Sequence, residues 1–274
     1  MTAAIAAALV AAGCGGGGDD DSIAQSGLRE TTTTEATTTT VAATDEPLRI
    51  VVTNDDGVGA AGIDTLVTAL AAVEGVEVTV VAPAGQQSGT GGKVTEGPLT
   101  STPAQTAGGH EATAVAGFPA DSIRVAFEDM GLQPHLVISG INEGQNLGPV
   151  VDVSGTVGAA RAAARSGVPA LAVSQGIGQT FDYDRAAAIV LRWLEENRAA
   201  LVAGELPADV VTNLNVPSCD IGEVRGEVDV ASAVAGDAGA PSDCTSTAEG
   251  QTDDVTAFVA GFATFTDIAV EPAA

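Results

Sequence analysis

Strand-like and helix-like segments alternate along most of this chain, from Arg49 to Pro217. Short runs rich in Val, Ile and Leu favour strands, and they occur at RIVVT, VEVTVVA, HLVIS, VPALAVS and ADVVTNLNVP. Longer segments with helical apolar spacing separate them: AGIDTLVTALAAV, PADSIRVAFEDMG, SGTVGAARAAARSG and YDRAAAIVLRWLEEN. Strands joined through helices pair in parallel, so the pattern predicts an α/β fold with a mostly parallel sheet flanked by helices.

Two regions do not follow the alternation. Pro83 opens a long Gly-rich stretch, which we interpret as a loop. After Pro217 the sequence is acidic and rich in Gly and Ala until TAFVAGFATFTDIAV, whose alternating apolar residues favour edge strands. The sequence therefore predicts a short β-rich part at the C-terminal end of the domain.

Composition limits the class of partner. The 274 residues carry a net charge of -26 and include a single lysine, Lys93. A nucleic-acid duplex is excluded as a partner, because few cations are available to replace the phosphate counterions. Small anions can still bind where a metal ion or backbone amides receive them.

We interpret the first residues of the chain as an export signal. MTAAIAAALVAAGC is apolar, ends in small residues and is too short to span a bilayer. It resembles a bacterial lipoprotein signal, with residues 1–13 as signal peptide and Cys14 as the lipidated first residue. Ala11 stands where Leu is usual, and no Lys or Arg precedes the apolar run, so an uncleaved apolar tail is the alternative.

The next segment lacks the residues that build a core. Residues 14–46 are rich in Gly, Asp and Thr, which predicts a disordered tether, and the folded domain is expected at residues 47–274. This arrangement places the domain in the cell envelope, outside the cytoplasmic membrane. If Cys14 is lipidated, Cys219 and Cys244 remain as a pair, and we expect them to form a disulfide there.

Three of the predicted strands end in oxygen-bearing side chains. The first is followed by Asn54, Asp55 and Asp56, the second by Ser88, and the third carries Ser139, Asn142 and Asn146 at its end. Carboxyl ends of parallel strands share one edge of a sheet, which is where ligands bind in such folds. Two adjacent carboxylates without a basic neighbour repel each other, and a hard cation such as Mg²⁺ or Mn²⁺ removes that repulsion. A simple Asx-capped turn is the alternative for the aspartates alone.

A fourth segment suggests an anion site. Ser154, Gly155 and Thr156 begin a helix of small residues, where free amides and two hydroxyls meet the positive end of the helix dipole. An ordinary serine N-cap is the alternative interpretation. Opposite a metal cluster, this helix start is expected to bind phosphate.

These segments together resemble the SurE family of survival proteins. The resemblance rests on VTNDDGVGAAGIDTL, VVAPAGQQSGTG, GFPADSIRVA, SGINEGQNLG, SGTVGAARAAARSGVPALAVS and NLNVP, which occur in the family's order and spacing. It implies a Rossmann-like α/β domain that acts as a phosphatase on nucleotides. It also implies a divalent metal held by Asp55, Asp56, Ser88 and Asn142.

The resemblance completes the predicted site and its chemistry. We expect Asp55 and Asp56 to be catalytic, with Asp55 acting either as a base or as a covalent nucleophile. The substrate phosphate is assigned to Asn54, Gly89, Asn146, Ser154, Gly155 and Thr156. The expected reaction is hydrolysis of nucleoside monophosphates by a 5'- or 3'-nucleotidase, and the alternative is a lipoprotein that binds nucleotide or phosphate without turnover.

Three departures from the family pattern bear on substrate and assembly. Val153 replaces the usual Tyr before SGTV, and Pro149 replaces the usual acidic residue after NLG. The C-terminal region is shorter than usual, and in the family this region commonly makes the oligomer contacts. A homodimer is therefore expected only if the shortened region still makes those contacts. Most relatives resemble cytoplasmic proteins, which is the alternative location.

Overall fold

The computed structural model describes residues 46–272. The predicted signal peptide at residues 1–13, the lipidated Cys14 and the predicted tether up to residue 45 lie outside the described residues. The described elements are β1 (Leu48–Thr53), α1 (Ala61–Ala71), β2 (Val76–Pro83), β3 (Ser101–Gln105), β4 (Glu111–Val115), α2 (Pro119–Arg124), β5 (Leu136–Glu143), α3 (Gly155–Arg165), β6 (Ala170–Gln175), α4 (Tyr183–Ala203), β7 (Val210–Val216), β8 (Glu227–Asp229), α5 (Asp254–Val259) and β9 (Ala263–Ala269). A π-helical turn at Val125–Asp129 continues α2, and a 3-10 turn at Gly148–Asp152 precedes α3.

The strands form one mixed sheet in the order β3-β4-β2-β1-β5-β6-β7-β9-β8. The six neighbours from β4 to β7 all pair in parallel, while β3 and β9 run antiparallel to β4 and β7. The chain reaches each new parallel strand through a helix or a longer connection, as the alternating pattern requires. The predicted α/β class and the mostly parallel sheet are confirmed.

The sheet is covered on both faces. Ile50 and Val52 point into a core shared with α1 and α4, and Val51 points into a second core shared with α2 and α3. This division follows from the alternation of side chains along a strand. In α4, Leu194 is buried and Trp193 packs against the first core, as the helical spacing predicts.

The long Gly-rich loop contains a hairpin that the sequence did not predict. Strands β3 and β4 pair antiparallel, with Pro103 opposite Thr113. Pro103 lies on the outermost strand, the position in a sheet that tolerates a missing amide donor. Four of the five β3 side chains are exposed, which explains why no apolar alternation marks the strand.

The C-terminal prediction needs a correction. The first part of TAFVAGFATFTDIAV is not an edge strand, because residues 254–259 form α5 and only β9 follows as a strand. The Asp253 side chain accepts a hydrogen bond from the amide of Thr256 and so caps this helix, while Phe258 is buried in a third apolar cluster. Strand β9 is also not an edge, since β8 pairs on its outer side.

Within residues 46–272, none of the helices combines the length and the apolar character that a bilayer crossing needs.

Candidate functional site

The chain turns sharply where β1 ends. The Asn54 amide nitrogen donates to the carbonyl of Gly57 at 2.9 Å, and its oxygen accepts from the Gly57 amide at 3.2 Å. Gly57 has a φ of 102°, which a residue with a side chain adopts only with strain. The turn takes Asp55 and Asp56 out of the strand ladder, so an Asx turn is compatible with the predicted site. Both polar atoms of Asn54, a predicted phosphate ligand, are used in this turn.

Asp55 joins the end of β1 to the start of α3. Its carboxylate is buried and accepts a hydrogen bond from the Thr156 hydroxyl at 2.7 Å. A side chain at Gly155 would meet the Asp55 Oδ2 atom at 2.8 Å, so only glycine allows this approach. Burial raises the pKa of Asp55, while the Thr156 hydroxyl and nearby backbone amides oppose that rise.

Asp56 is less buried and lies beside β5. Its Oδ2 atom accepts from the backbone amide of Glu143 at 3.0 Å. Burial, followed by the charge of Asp55, raises the pKa of Asp56 to about 6. Two neighbouring carboxylates in a partly desolvated site therefore resist full ionisation unless a cation joins them.

The loop after β2 brings Ser88 to the aspartates. The Gln86 side-chain nitrogen donates to the Ser88 hydroxyl oxygen at 2.6 Å and lies 3.5 Å from Asp56 Oδ1. The backbone amide of Gln87 donates to the Asp55 carbonyl at 2.6 Å, which fixes the loop against the end of β1. Ser88 and Asp56 thus contact the same nitrogen atom, and Gln86 is a site residue that sequence reasoning missed.

Asn142 carries an unpartnered side-chain oxygen and lies on the strand that contacts Asp56. It lies on β5 just before the amide that binds Asp56, and the pairing of β5 with β6 shifts register between Ser139 and Asn142. Its side-chain nitrogen donates to the Gly144 carbonyl at 2.5 Å. Its Oδ1 atom is buried and has no hydrogen-bond partner among the described residues. A buried acceptor without a donor is costly, and a cation satisfies it.

Asn146 is held by a polar network at the ends of β6 and β7. Its backbone amide donates to Asn215 Oδ1 at 2.7 Å, and its side-chain nitrogen donates to the Ser174 hydroxyl at 2.9 Å. The side chains of Asn213 and Asn215 both donate to its carbonyl. These buried asparagines were not identified as site residues, although two asparagines in a buried strand are a recognisable signal.

The start of α3 is already engaged within the protein. The Ser154 hydroxyl accepts from the Val157 amide at 3.1 Å, as an N-cap does, and the Thr156 hydroxyl is committed to Asp55. The phosphate role of Ser154, Gly155 and Thr156 stays a prediction, whereas their observed contacts fix the helix start and Asp55. Gly89, by contrast, is exposed next to Ser88 and has a φ of 74°.

The oxygen atoms fit a hard divalent cation. No cluster of three or more His, Cys, Asp and Glu residues occurs within residues 46–272, so a metal here needs neutral ligands as well. The Asp56 carboxylate, the exposed Ser88 hydroxyl and the unpartnered Asn142 oxygen supply that mixture. Such an oxygen-only set suits Mg²⁺ or Mn²⁺ and leaves positions for water.

Cys219 and Cys244 are joined in the structure, with their Cα atoms 5.7 Å apart. Cys219 follows β7, and Cys244 lies in the irregular segment before α5. The bond therefore attaches this segment to the end of the sheet that carries the site.

Comparison with known proteins identifies relatives of this chain. The family model described as survival protein SurE matches residues 50–238. The 5'-nucleotidase SurE of Brevibacillus brevis is 40% identical over 189 residues, which are 66% of this chain and 71% of that protein. The 5'-nucleotidase SurE of Synechococcus sp. (strain CC9311) is 43% identical over 63% of this chain and 65% of that protein.

A solved structure agrees on the fold. The crystal structure of the SurE protein from Aquifex aeolicus superposes with a TM-score of 0.66 at 24% identity, covering 82% of this chain and 94% of that one. The fold, the matching segments and the family model lead to one conclusion. The chain belongs to the SurE family.

Proposed function

We propose that the chain is a divalent-metal-dependent phosphoric monoester hydrolase that converts nucleoside monophosphates and water to nucleosides and phosphate. Relatives named 5'-nucleotidase SurE support the activity and the class of substrate. The observation that carries the metal dependence is the meeting of three separate chain segments around Asp56. Gln86 connects it to Ser88, and the Glu143 amide connects it to the strand that carries Asn142.

Asp55, Asp56, Ser88 and Asn142 would hold the cation, and the Thr156 hydroxyl fixes the Asp55 carboxylate. A bound divalent ion supplies charge stabilisation for the phosphoryl group and lowers the pKa of a water molecule. The exposed Gly89 beside Ser88 leaves space for the phosphoryl oxygens. The role of Asn146 is to contact the phosphate from a position that the buried asparagine network fixes.

Asp55 has the restraints that a base or nucleophile needs. Its carboxylate is held by the Thr156 hydroxyl and by the close approach of Gly155, so it cannot rotate freely. Burial raises the pKa of Asp55 in the metal-free chain, and a bound cation would favour the ionised form that either role needs. Both roles require the Asp55 carboxylate to stay where its contacts with α3 hold it.

The test is phosphate release from a panel of nucleoside 5'- and 3'-monophosphates with Mg²⁺ or Mn²⁺. We expect turnover that stops in EDTA and falls by about a hundred- to a thousandfold in Asp56→Asn, as loss of a main electrostatic group does. Unchanged turnover in EDTA and in Asp56→Asn would overturn the metal-dependent reaction. Calorimetric binding of nucleotide without phosphate release would instead favour a binding protein on the same fold.

We also propose that the folded domain works outside the cytoplasm. The pairing of Cys219 with Cys244 supports this location, since structural disulfides are typical of oxidising compartments. Mass spectrometry of protein from the cell envelope should find the disulfide and an acylated Cys14. Two free thiols in a cytoplasmic fraction would support the location expected of typical relatives. The homodimer stays a prediction, and light scattering tests it.

A further inference from the structure

Asp254 is a fully buried carboxylate that binds only backbone amides. Its Oδ1 atom accepts from the amides of Ala233 and Val255, at 2.8 and 2.9 Å, and its Oδ2 atom accepts from the amide of Gly148 at 2.9 Å. Charge-assisted hydrogen bonds of this kind are about twice as strong as neutral ones and offset the loss of solvent.

The Gly148 amide lies in the loop that carries predicted site residues. The loop between residues 144 and 153 follows Asn142 on β5, contains Asn146 and leads directly to Ser154 at the start of α3. Gly148 has a φ of 48°, and a side chain on it would meet the Ala233 carbonyl at 3.0 Å. Asp254 therefore fixes the loop at Gly148, two residues after Asn146.

The rest of the loop is bound to the same part of the chain. The segment of residues 231–259, here named the brace, surrounds Leu147 with an apolar cluster. The Gln145 side chain donates to the carbonyls of Ala238 and Ala240, at 3.1 and 3.3 Å, and accepts from the amide of Ile177 at 2.9 Å. Residues 145, 147 and 148 are thus tied to neighbouring segments, while residue 146 between them faces the asparagine network.

We propose that Asp254 is a positioning residue that sets the location of Asn146 and of the start of α3 for the hydrolytic site. The proposal rests on the proposed function. Asp254 lies beyond residue 238, where the match to the family model ends. None of the three hydrogen bonds of Asp254 goes to a predicted metal ligand, and the bond to the Gly148 amide is the one that joins it to the loop.

One substitution removes this tether selectively. Asp254→Asn keeps one oxygen acceptor, and the orientation that preserves the bonds to Ala233 and Val255 turns an N–H group towards the Gly148 amide. The matched control is Asp253→Asn at the N-cap of the same helix, where the partly exposed Asp253 caps the Thr256 amide and Asn is an equally good cap.

The experiment compares steady-state kinetics of the full chain and both variants on a nucleoside monophosphate with Mn²⁺. We expect Asp254→Asn to lose about ten- to a hundredfold in kcat with KM changed less than about threefold, because a small misplacement of a transition-state contact has this effect. Asp253→Asn should match the unsubstituted chain. When Asn146 is already replaced by alanine, adding Asp254→Asn should lower kcat much less, since both substitutions act through the Asn146 side chain.

Two results would overturn the proposal without touching the proposed function. One is that both variants fold and have the same kcat, while the unsubstituted chain is active. The other is full additivity of the Asp254 and Asn146 substitutions. If Asp254→Asn fails to fold, the test is amide hydrogen exchange on the unsubstituted chain. The proposal predicts slow exchange of the Gly148 amide, and fast exchange would overturn it. No phosphate release from the unsubstituted chain would instead overturn the proposed function, and the positioning role with it.

Discussion

Replacing Asp56 with asparagine should stabilise the metal-free protein at neutral pH while it removes the activity. In the folded chain the pKa of Asp56 is raised from 3.8 to about 6, first by burial and then by Asp55. The stability contributed by the protonated form is complete below pH 3.8 and is lost as the pH rises through about 6. The substituted amide would carry no charge at any pH and so would avoid this loss.

The size of the effect follows from the shift. Each pKa unit corresponds to about 1.4 kcal/mol, so a shift of about two units gives an upper limit of about 3 kcal/mol. Asp56 is partly exposed, and solvent screening lowers the expected gain to about 1 kcal/mol. We expect Asp56→Asn to gain this unfolding free energy at pH 7 and to match the unsubstituted chain near pH 4.

The assay is urea unfolding in EDTA from pH 4 to pH 7, followed by the fluorescence of Trp193, the single tryptophan of the chain. Glu205→Gln, an exposed substitution after α4, is the control for a general loss of negative charge. Adding Mg²⁺ at a hundred times its Kd should stabilise the unsubstituted chain by about 2.7 kcal/mol and Asp56→Asn far less. A lower unfolding free energy for Asp56→Asn at pH 7, or an unchanged pH dependence, would refute the argument from carboxylate repulsion.

Three further substitutions test the supports of the site. Gly158→Ala should disturb the loop that carries the predicted serine ligand, since a Cβ at Gly158 would meet the Gly91 carbonyl at 2.1 Å. The phosphate-release assay should then show reduced turnover. Gly92→Ala is the control and should leave turnover unchanged, since a Cβ at Gly92 would meet no atom within 4 Å. Thr156→Val should lower the unfolding free energy by about 2 kcal/mol and reduce kcat by removing the donor to Asp55, while Thr156→Ser should retain both. Cys219→Ser should lower the unfolding free energy by about 3 kcal/mol, because the disulfide closes a separation of 25 residues; equal urea midpoints with and without reductant would contradict this.

The sequence predicts the parts of the site that depend on strand order. Asp55, Asp56 and Asn142 could be assigned to one edge because each follows or ends a strand of a parallel sheet. The same inference predicts Ser88 as a ligand from the loop after the second strand. These inferences need only the direction of the strands and the chemistry of the residues at their ends.

The missed features depend on contacts between distant segments. Asp254 and Gly148 are 106 residues apart in sequence, and nothing local marks either as a partner of the other. The short helix α5 was interpreted as a strand because its few apolar residues fit both periods. The contact between Thr156 and Asp55 was also missed, since only the folded structure brings α3 against the end of β1.

Manganese binding tests the central claim most directly. Isothermal titration of the metal-free chain with Mn²⁺ should give one site, with Asp56→Asn, Ser88→Ala and Asn142→Ala each weakening the affinity and Ser166→Ala, at the far end of α3, leaving it unchanged. One cation would then draw ligands from three strand ends. Equal affinities for all four variants and the unsubstituted chain would contradict the account.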